Sequence, residues 1–287
     1  MYNNDYELNC GNDVQIDKSC IFKGIKDKIV NYSFGDYCRV FDNCKFYMSN
    51  NFKIGDYSTI KSNCIFHGYK ECKIGHNTWI GQNAIINSTD KLTIGNNMGI
   101  GDYSKIWTHA YHGELLLGCR IAVGLPWNDF KAKSGEVIIG DDFWGIGEVT
   151  IGPGVKIGNK VIALSNSLIT KDIPDNTIVA GVPAKPIQID DDFRGYLDLS
   201  DKEKYYLMKK FTTEFSKQKN LKIKFDEKLK IIIMGEKEVE VNCGNIIREN
   251  DTSYFDMVKR TYTKKHNKLE KEFILFCLGH RARFIPE

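Results

Sequence analysis

His109 and His112 stand three residues apart in the stretch IWTHAYHGELLLGCR (106–120), with Trp107 and Tyr111 beside them. Imidazole is the side chain whose ordinary pKa lies within reach of neutral pH, so either histidine can take a proton from a reacting hydroxyl. Two nearly equivalent candidates leave the base open between them. What else they could do depends on the elements that hold them, and those elements announce themselves by a repeat that stops at this place.

FGDYCR, IGDYST, IGHNTW and IGNNMG begin at residues 34, 54, 74 and 94, each 20 residues after the last. From 139 to 174 the period tightens to six: IGDDFW, GIGEVT, IGPGVK, IGNKVI, ALSNSL, ITKDIP. Units this short cannot each bury a face alone, so they must stack into a solenoid with one continuous core. Three flat sides per turn give a triangular parallel β-helix. Ile54, Ile74, Ile94, Ile139, Ile151 and Ile157 are expected to point inward, with Cys38, Ser58, Thr78, Met98, Phe143, Val149, Val155 and Val161 as a second inward set. Glycine at the second hexad position, with Asp or Asn at the third, is expected to supply positive φ at the corners. Ile106 opens a hexad, yet the next clear one begins at Ile139, so a long loop leaves the solenoid at the two histidines. Loops of that length are functional or disordered, and the aromatic content of this one argues against disorder.

The run IGDDFWGIGEVTIGPGVKIGNKVIALSNSLITKDIPDNTIVAGVPAKPI (139–187) resembles the C-terminal signature of the hexapeptide-repeat acyltransferases, in particular their sugar and maltose O-acetyltransferase branch; TKDIPDNTIVAGVPAK (170–185) is its most specific part. The resemblance covers roughly residues 30–189. It implies a left-handed β-helix, a homotrimer, acetyl-CoA as acyl donor and a sugar or glycan as acceptor. It also implies that a histidine before the long loop is the general base for direct transfer, which favours His109 over His112. Asn83 and Asn87, one coil earlier, and Trp107 would line the acceptor pocket. Trp144, Ser165, Ser167, Lys171 and Lys185 would meet coenzyme A. One departure is visible: where the family places glycines near the cofactor, ALSNS (163–167) has Leu164 and Asn166.

The leading expectation is an O-acetyltransferase of surface-polysaccharide biosynthesis. Its rivals are N-acetylation of an amino sugar or nucleotide sugar, a carbonic anhydrase-like zinc enzyme in which His67 and His76 join His109, and a non-enzymatic scaffold. The zinc reading is weakened by the different hexad positions of the three histidines, and no metal is expected. The net charge of +3 gives no sign of a nucleic-acid partner. No transmembrane segment or signal peptide stands out, so a cytoplasmic protein is expected. Nine cysteines without a CxxC pair read as thiols, not disulfides. Composition shifts near residue 189, and 21 of the 40 Lys and Arg lie beyond it. The expected domains are therefore 1–189, with a loop insertion at about 110–138, and a C-terminal α+β extension, 190–287. In that extension a helix is expected from about 200 to 218, capped by SDKE and burying Leu207, Phe211 and Phe215. A hairpin about Gly235, a helix over 253–271 and a buried strand FILFCLG complete the reading. The isolated His266 and His280 are read as structural.

Overall fold

The computed structural model describes residues 2–3, 6–25, 29–109, 135–188, 195–235, 238–244, 251–279 and 281–287. They form two units, Met1–Tyr196 and Leu197–Glu287. The break expected at 189/190 lies outside the described residues.

The first unit is a three-sided parallel β-helix. Successive turns of chain contribute one strand each to sheets of eight, seven and nine strands, and within each sheet the neighbours are parallel apart from one antiparallel strand at an end of the eight-strand and of the nine-strand sheet. Register follows the repeat: Ile74 lies beside Ile94, Ile94 beside Ile139, and Ile139 beside Ile157. Both inward sets are buried as expected. Phe22, Phe46 and Phe66 stack in successive coils with centroids 4.6 and 4.7 Å apart. Cys38, Cys44, Cys64 and Cys72 are buried free thiols, while Cys10 is exposed. Burial pushes the Cys38 thiol up to about 12.

The corners work differently from the expectation. At the edge between the seven- and nine-strand faces, the glycine at hexad position two does not carry positive φ. That conformation falls at position four, on Tyr37, Tyr57, Asn77, Asn97, Asp142 and Lys160. Glycine is needed there because coils approach closely: a Cβ on Gly55 would lie 2.7 Å from the His76 backbone nitrogen. The polar residue at position three closes an amide ladder between coils. Asp36 N–H donates to Asp56 Oδ1 (2.9 Å), Asp56 N–H to His76 Nδ1 (2.9 Å), His76 N–H to Asn96 Oδ1 (3.0 Å) and Asn96 N–H to Asp141 Oδ1 (2.6 Å). Asx residues recur because corner amides lie outside the strand ladders and need acceptors.

The second unit holds a six-strand sheet and two helices. Helix α1, Asp201–Lys219, has the expected capping box, with Ser200 and Glu203 exchanging hydrogen bonds. Its buried stripe is Tyr205, Met208, Thr212 and Phe215, whereas Leu207 is 40% exposed. Phe215 is buried as expected and Phe211 half-buried; Tyr205 and Met208 take the place of Leu207, since Tyr205 supplies a large apolar ring despite its hydroxyl. Gly235, at φ 70°, follows strand Ile231–Met234, which pairs antiparallel with Val239–Asn242. Two assignments are reversed. Residues 253–271 begin as strands, Ser253–Asp256 and Thr261–Tyr262, and FILFCL belongs to helix α2, Lys268–Leu278. A six-residue apolar run fits either element. The deciding signal was Asn267, whose side chain accepts from Glu270 N–H and starts the helix. No helix among the described residues is long and apolar enough to cross a membrane.

Candidate active site

His109 lies where the chain leaves the eight-strand face after Lys105–Ile106. Trp107 N–H donates to Ile151 O (2.9 Å), which continues the solenoid ladder up to the turn. Thr108 is fully buried, and its hydroxyl donates to Asn87 Oδ1 (3.0 Å) while accepting from Asp90 N–H (3.0 Å). Gly135 brings the returning chain against this point. A Cβ there would sit 2.0 Å from the Thr108 carbonyl oxygen, so no larger residue admits the approach.

Asn87 is 2% exposed and determines the proton positions around it. The Thr89 backbone N–H, which can only donate, reaches Asn87 Oδ1 at 3.0 Å and so assigns that atom as the acceptor. His109 Nδ1 lies 3.0 Å from the same oxygen and must therefore carry a proton. Neutral His109 then keeps its lone pair on Nε2, the state a general base requires. The amide's other end, Nδ2, donates to Thr89 Oγ1 (3.1 Å) and lies 3.4 Å from His67 Nδ1. That nitrogen accepts, leaving the His67 proton on Nε2. Desolvation, followed by repulsion from charge on His109, holds the His67 pKa below its ordinary value and so favours the neutral ring. Aromatic rings flank both histidines edge-on: Trp107 at 5.9 Å from His109 and Tyr69 at 5.7 Å from His67.

The structure thus brings together His109, Asn87 and Trp107, three of the residues singled out in the sequence. Asn87 spends its hydrogen bonds within the chain, on Thr89, Thr108 and the two histidines. Asn83 sits apart, as a positive-φ corner residue four positions earlier, roughly 13 Å away at the rise of extended chain. His112 lies outside the described residues. Thr89 and Thr108 were missed, and His67 was considered only as a zinc ligand. The 20-residue period, which puts His67 beside Asn87 on the adjacent strand, was the signal that could have found His67.

The residues expected to meet coenzyme A lie elsewhere on the prism. Trp144 covers Gly99 on the nine-strand face; a Cβ on Gly99 would meet the indole at 2.5 Å. Along the edge between the nine- and eight-strand faces runs a groove of about 420 Å³, lined by Trp79, Tyr103, Ile146, Glu148, Ser165 and Asn166. Ser165 donates to Ile146 O (2.8 Å). Ser167 is 1% exposed and donates to Leu164 O, so it turns inward instead. Lys171 and Lys185 are exposed. In the single chain the groove and His109 occupy different edges. His76 belongs to the amide ladder on the third edge, so His67, His76 and His109 do not converge. Among the described residues no three His, Cys, Asp or Glu side chains form a metal-binding group.

No family model matches the chain. Galactoside O-acetyltransferase of Escherichia coli K12 is 34% identical over 98 residues, covering 32% of this chain and 44% of the relative. A chloramphenicol acetyltransferase of Klebsiella aerogenes is 45% identical over 60 residues, 21% of this chain and 29% of the relative. Over these segments the chain is similar to acetyltransferases. It spans less than half the length of these curated relatives. The fold observed is a three-sided parallel β-helix followed in the same chain by a smaller α+β unit. Among solved structures, the polysialic acid O-acetyltransferase OatWY aligns with a TM-score of 0.35 and 20% identity over 68% of this chain and 93% of that one.

Proposed function

We propose that this chain is a hexapeptide-repeat acyltransferase, an acetyl-CoA-dependent O-acetyltransferase that acetylates a sugar hydroxyl in surface-polysaccharide assembly, working in the cytoplasm as a homotrimer. The observation that carries the reading is the Thr89–Asn87–His109 chain of hydrogen bonds, which fixes a proton on Nδ1 and leaves Nε2 as the lone-pair nitrogen of the neutral tautomer at the edge where the solenoid opens. The similarity to galactoside O-acetyltransferase supports a sugar acceptor.

Acetyl-CoA supplies the activated acyl group as a thioester. His109 Nε2 takes the acceptor's hydroxyl proton as the oxygen bonds to the acetyl carbon, and Asn87 Oδ1 supports the imidazolium through Nδ1–H. Breaking the C–S bond releases the thiolate, which receives the proton back from Nε2. No covalent acyl-enzyme is needed. The groove beside Ser165 has the aromatic and aliphatic walls suited to a pantetheine arm, and Lys171 and Lys185 offer charge to its phosphates. Because His109 and this groove lie on different edges, the complete site in this reading forms between copies. The threefold shape of the prism suits a ring of three.

The test is mass spectrometry of candidate sugars incubated with acetyl-CoA, using wild-type protein and His109→Ala. Wild type should add one acetyl group per acceptor. His109→Ala should lower kcat roughly 10²–10⁴-fold with acetyl-CoA affinity changed less than a few-fold. Full turnover in His109→Ala would remove His109 from the mechanism.

A further inference from the structure

His109 and His67 share one buried carboxamide and receive opposite instructions from it. Oδ1 accepts from His109, which leaves that ring an acceptor at Nε2; Nδ2 donates to His67, which leaves that ring a donor at Nε2. A fixed N–H donor is of no use as a base, but it suits a sugar hydroxyl or ring oxygen. His67 is half-buried, and next to it Tyr69 is 42% exposed with its ring edge-on to the imidazole. Such a pairing of an aromatic ring with a polar donor matches the two surfaces of a pyranose, apolar across its CH groups and polar at its rim.

Distance sets what this pair can reach. His67 and Asn87 are opposite one another on neighbouring strands, and Asn87 neighbours the strand leading to His109. Two strand spacings, roughly 10 Å, separate the backbones that carry the histidines, and the Asn87 carboxamide bridges their side chains, 3.4 Å from His67 Nδ1 and 3.0 Å from His109 Nδ1. Tyr69 stands beyond His67 in this chain of contacts, its ring 5.7 Å from the imidazole, so a sugar seated at His109 Nε2 leaves His67 and Tyr69 for the ring linked to it.

We propose that His67 and Tyr69 form an acceptor subsite for the sugar residue adjacent to the one acetylated, so that the acceptor is an oligosaccharide chain lying along the solenoid axis. The proposal rests on the reading of His109 as the base. Its test measures glycan binding by calorimetry without acetyl-CoA, and turnover separately. The probes are galactose and N-acetylglucosamine, each with its β1,4-linked dimer and trimer.

For at least one series, wild type should bind the dimer about tenfold or more tightly than the monomer. His67→Phe and Tyr69→Ala should each erase that gain and leave monomer binding and acetyl-CoA affinity within twofold. His67→Gln, which retains an N–H donor, should restore most of it, and His109→Ala should keep it whole. A wild type without preference for any oligomer overturns the subsite, as does a preference that survives in both His67→Phe and Tyr69→Ala. Equal loss of turnover on monomer and dimer in His67→Phe, with a displaced pH profile, would instead mean that His67 acts through Asn87 on the base, and also overturns it. Preferential oligomer binding without any acetyl transfer would sustain the subsite and defeat the O-acetyltransferase reading.

Discussion

Replacing Asn87 by Asp would put a carboxylate between two imidazoles that now share a neutral amide. Negative charge at hydrogen-bond distance favours the imidazolium, so His109 would hold its proton to a higher pH. In the proposed mechanism His109 works only when neutral, so the acidic limb of the kcat/KM profile should move upward in Asn87→Asp. A profile that stays in place, with activity retained, would show that Asn87 does not govern His109. The same substitution buries a charge at a site 2% exposed and should lower Tm. His109 was legible in the sequence because it stands where the repeat ends. Asn87 was legible only as an acceptor-pocket residue implied by the family resemblance. Its contact with a side chain 22 residues away depends on the coil's rise and on a turn made by Thr108, Asp90 and Gly135. His67 was mentioned only as a weak metal ligand, because spacing alone does not reveal which nitrogen of an imidazole is engaged.

The corner turns show how a pattern can be read correctly and its physics wrongly assigned. Glycine recurs at hexad position two because of contact between coils, and the positive-φ demand falls two residues later on Asn, Tyr, Asp and Lys. Gly55→Ala should therefore overpack against backbone atoms that cannot move aside, costing about 1–3 kcal/mol and lowering Tm by several degrees. Gly152→Ala is the control, since its nearest atom, Ile169 O, is 3.3 Å from the added Cβ. Equal Tm changes for the two, measured by thermal unfolding, would refute the close-approach account. The strands of the solenoid were readable because each is repeated many times and one error would break the register. In the second unit each element occurs once. There the apolar run FILFCL had no repeat to arbitrate between helix and strand, and the cap at Asn267 carried the information.

At the scale of the whole molecule, separation of His109 from the Ser165 groove leads to an expected trimer mass in light scattering, with activity falling as the protein dissociates on dilution. An active monomer would end the shared-site proposal. The boundary between units gives a second test. Tyr196 closes the solenoid unit, its hydroxyl donating to Asp142 O at 2.6 Å. A chain cut after Tyr196 should fold, keep its β-sheet circular dichroism and bind acetyl-CoA within a few-fold of the full chain; failure to fold would make residues 197–287 part of the solenoid's stability. The three edges of the prism, finally, differ in one respect. Between the seven- and nine-strand faces, and again between the nine- and eight-strand faces, the chain spends four residues in coil after coil, as at 55–58, 75–78, 61–64 and 81–84. On the third edge it spends three at 49–51, 69–71 and 89–91 and four at 152–155, and 30 residues, 107–136, separate Ile106 from Val137. Insertions and deletions thus have one permitted address, and that address is where His109 stands. A change in the length of that one edge alters the surroundings of His109, while the other two edges keep the period of the solenoid.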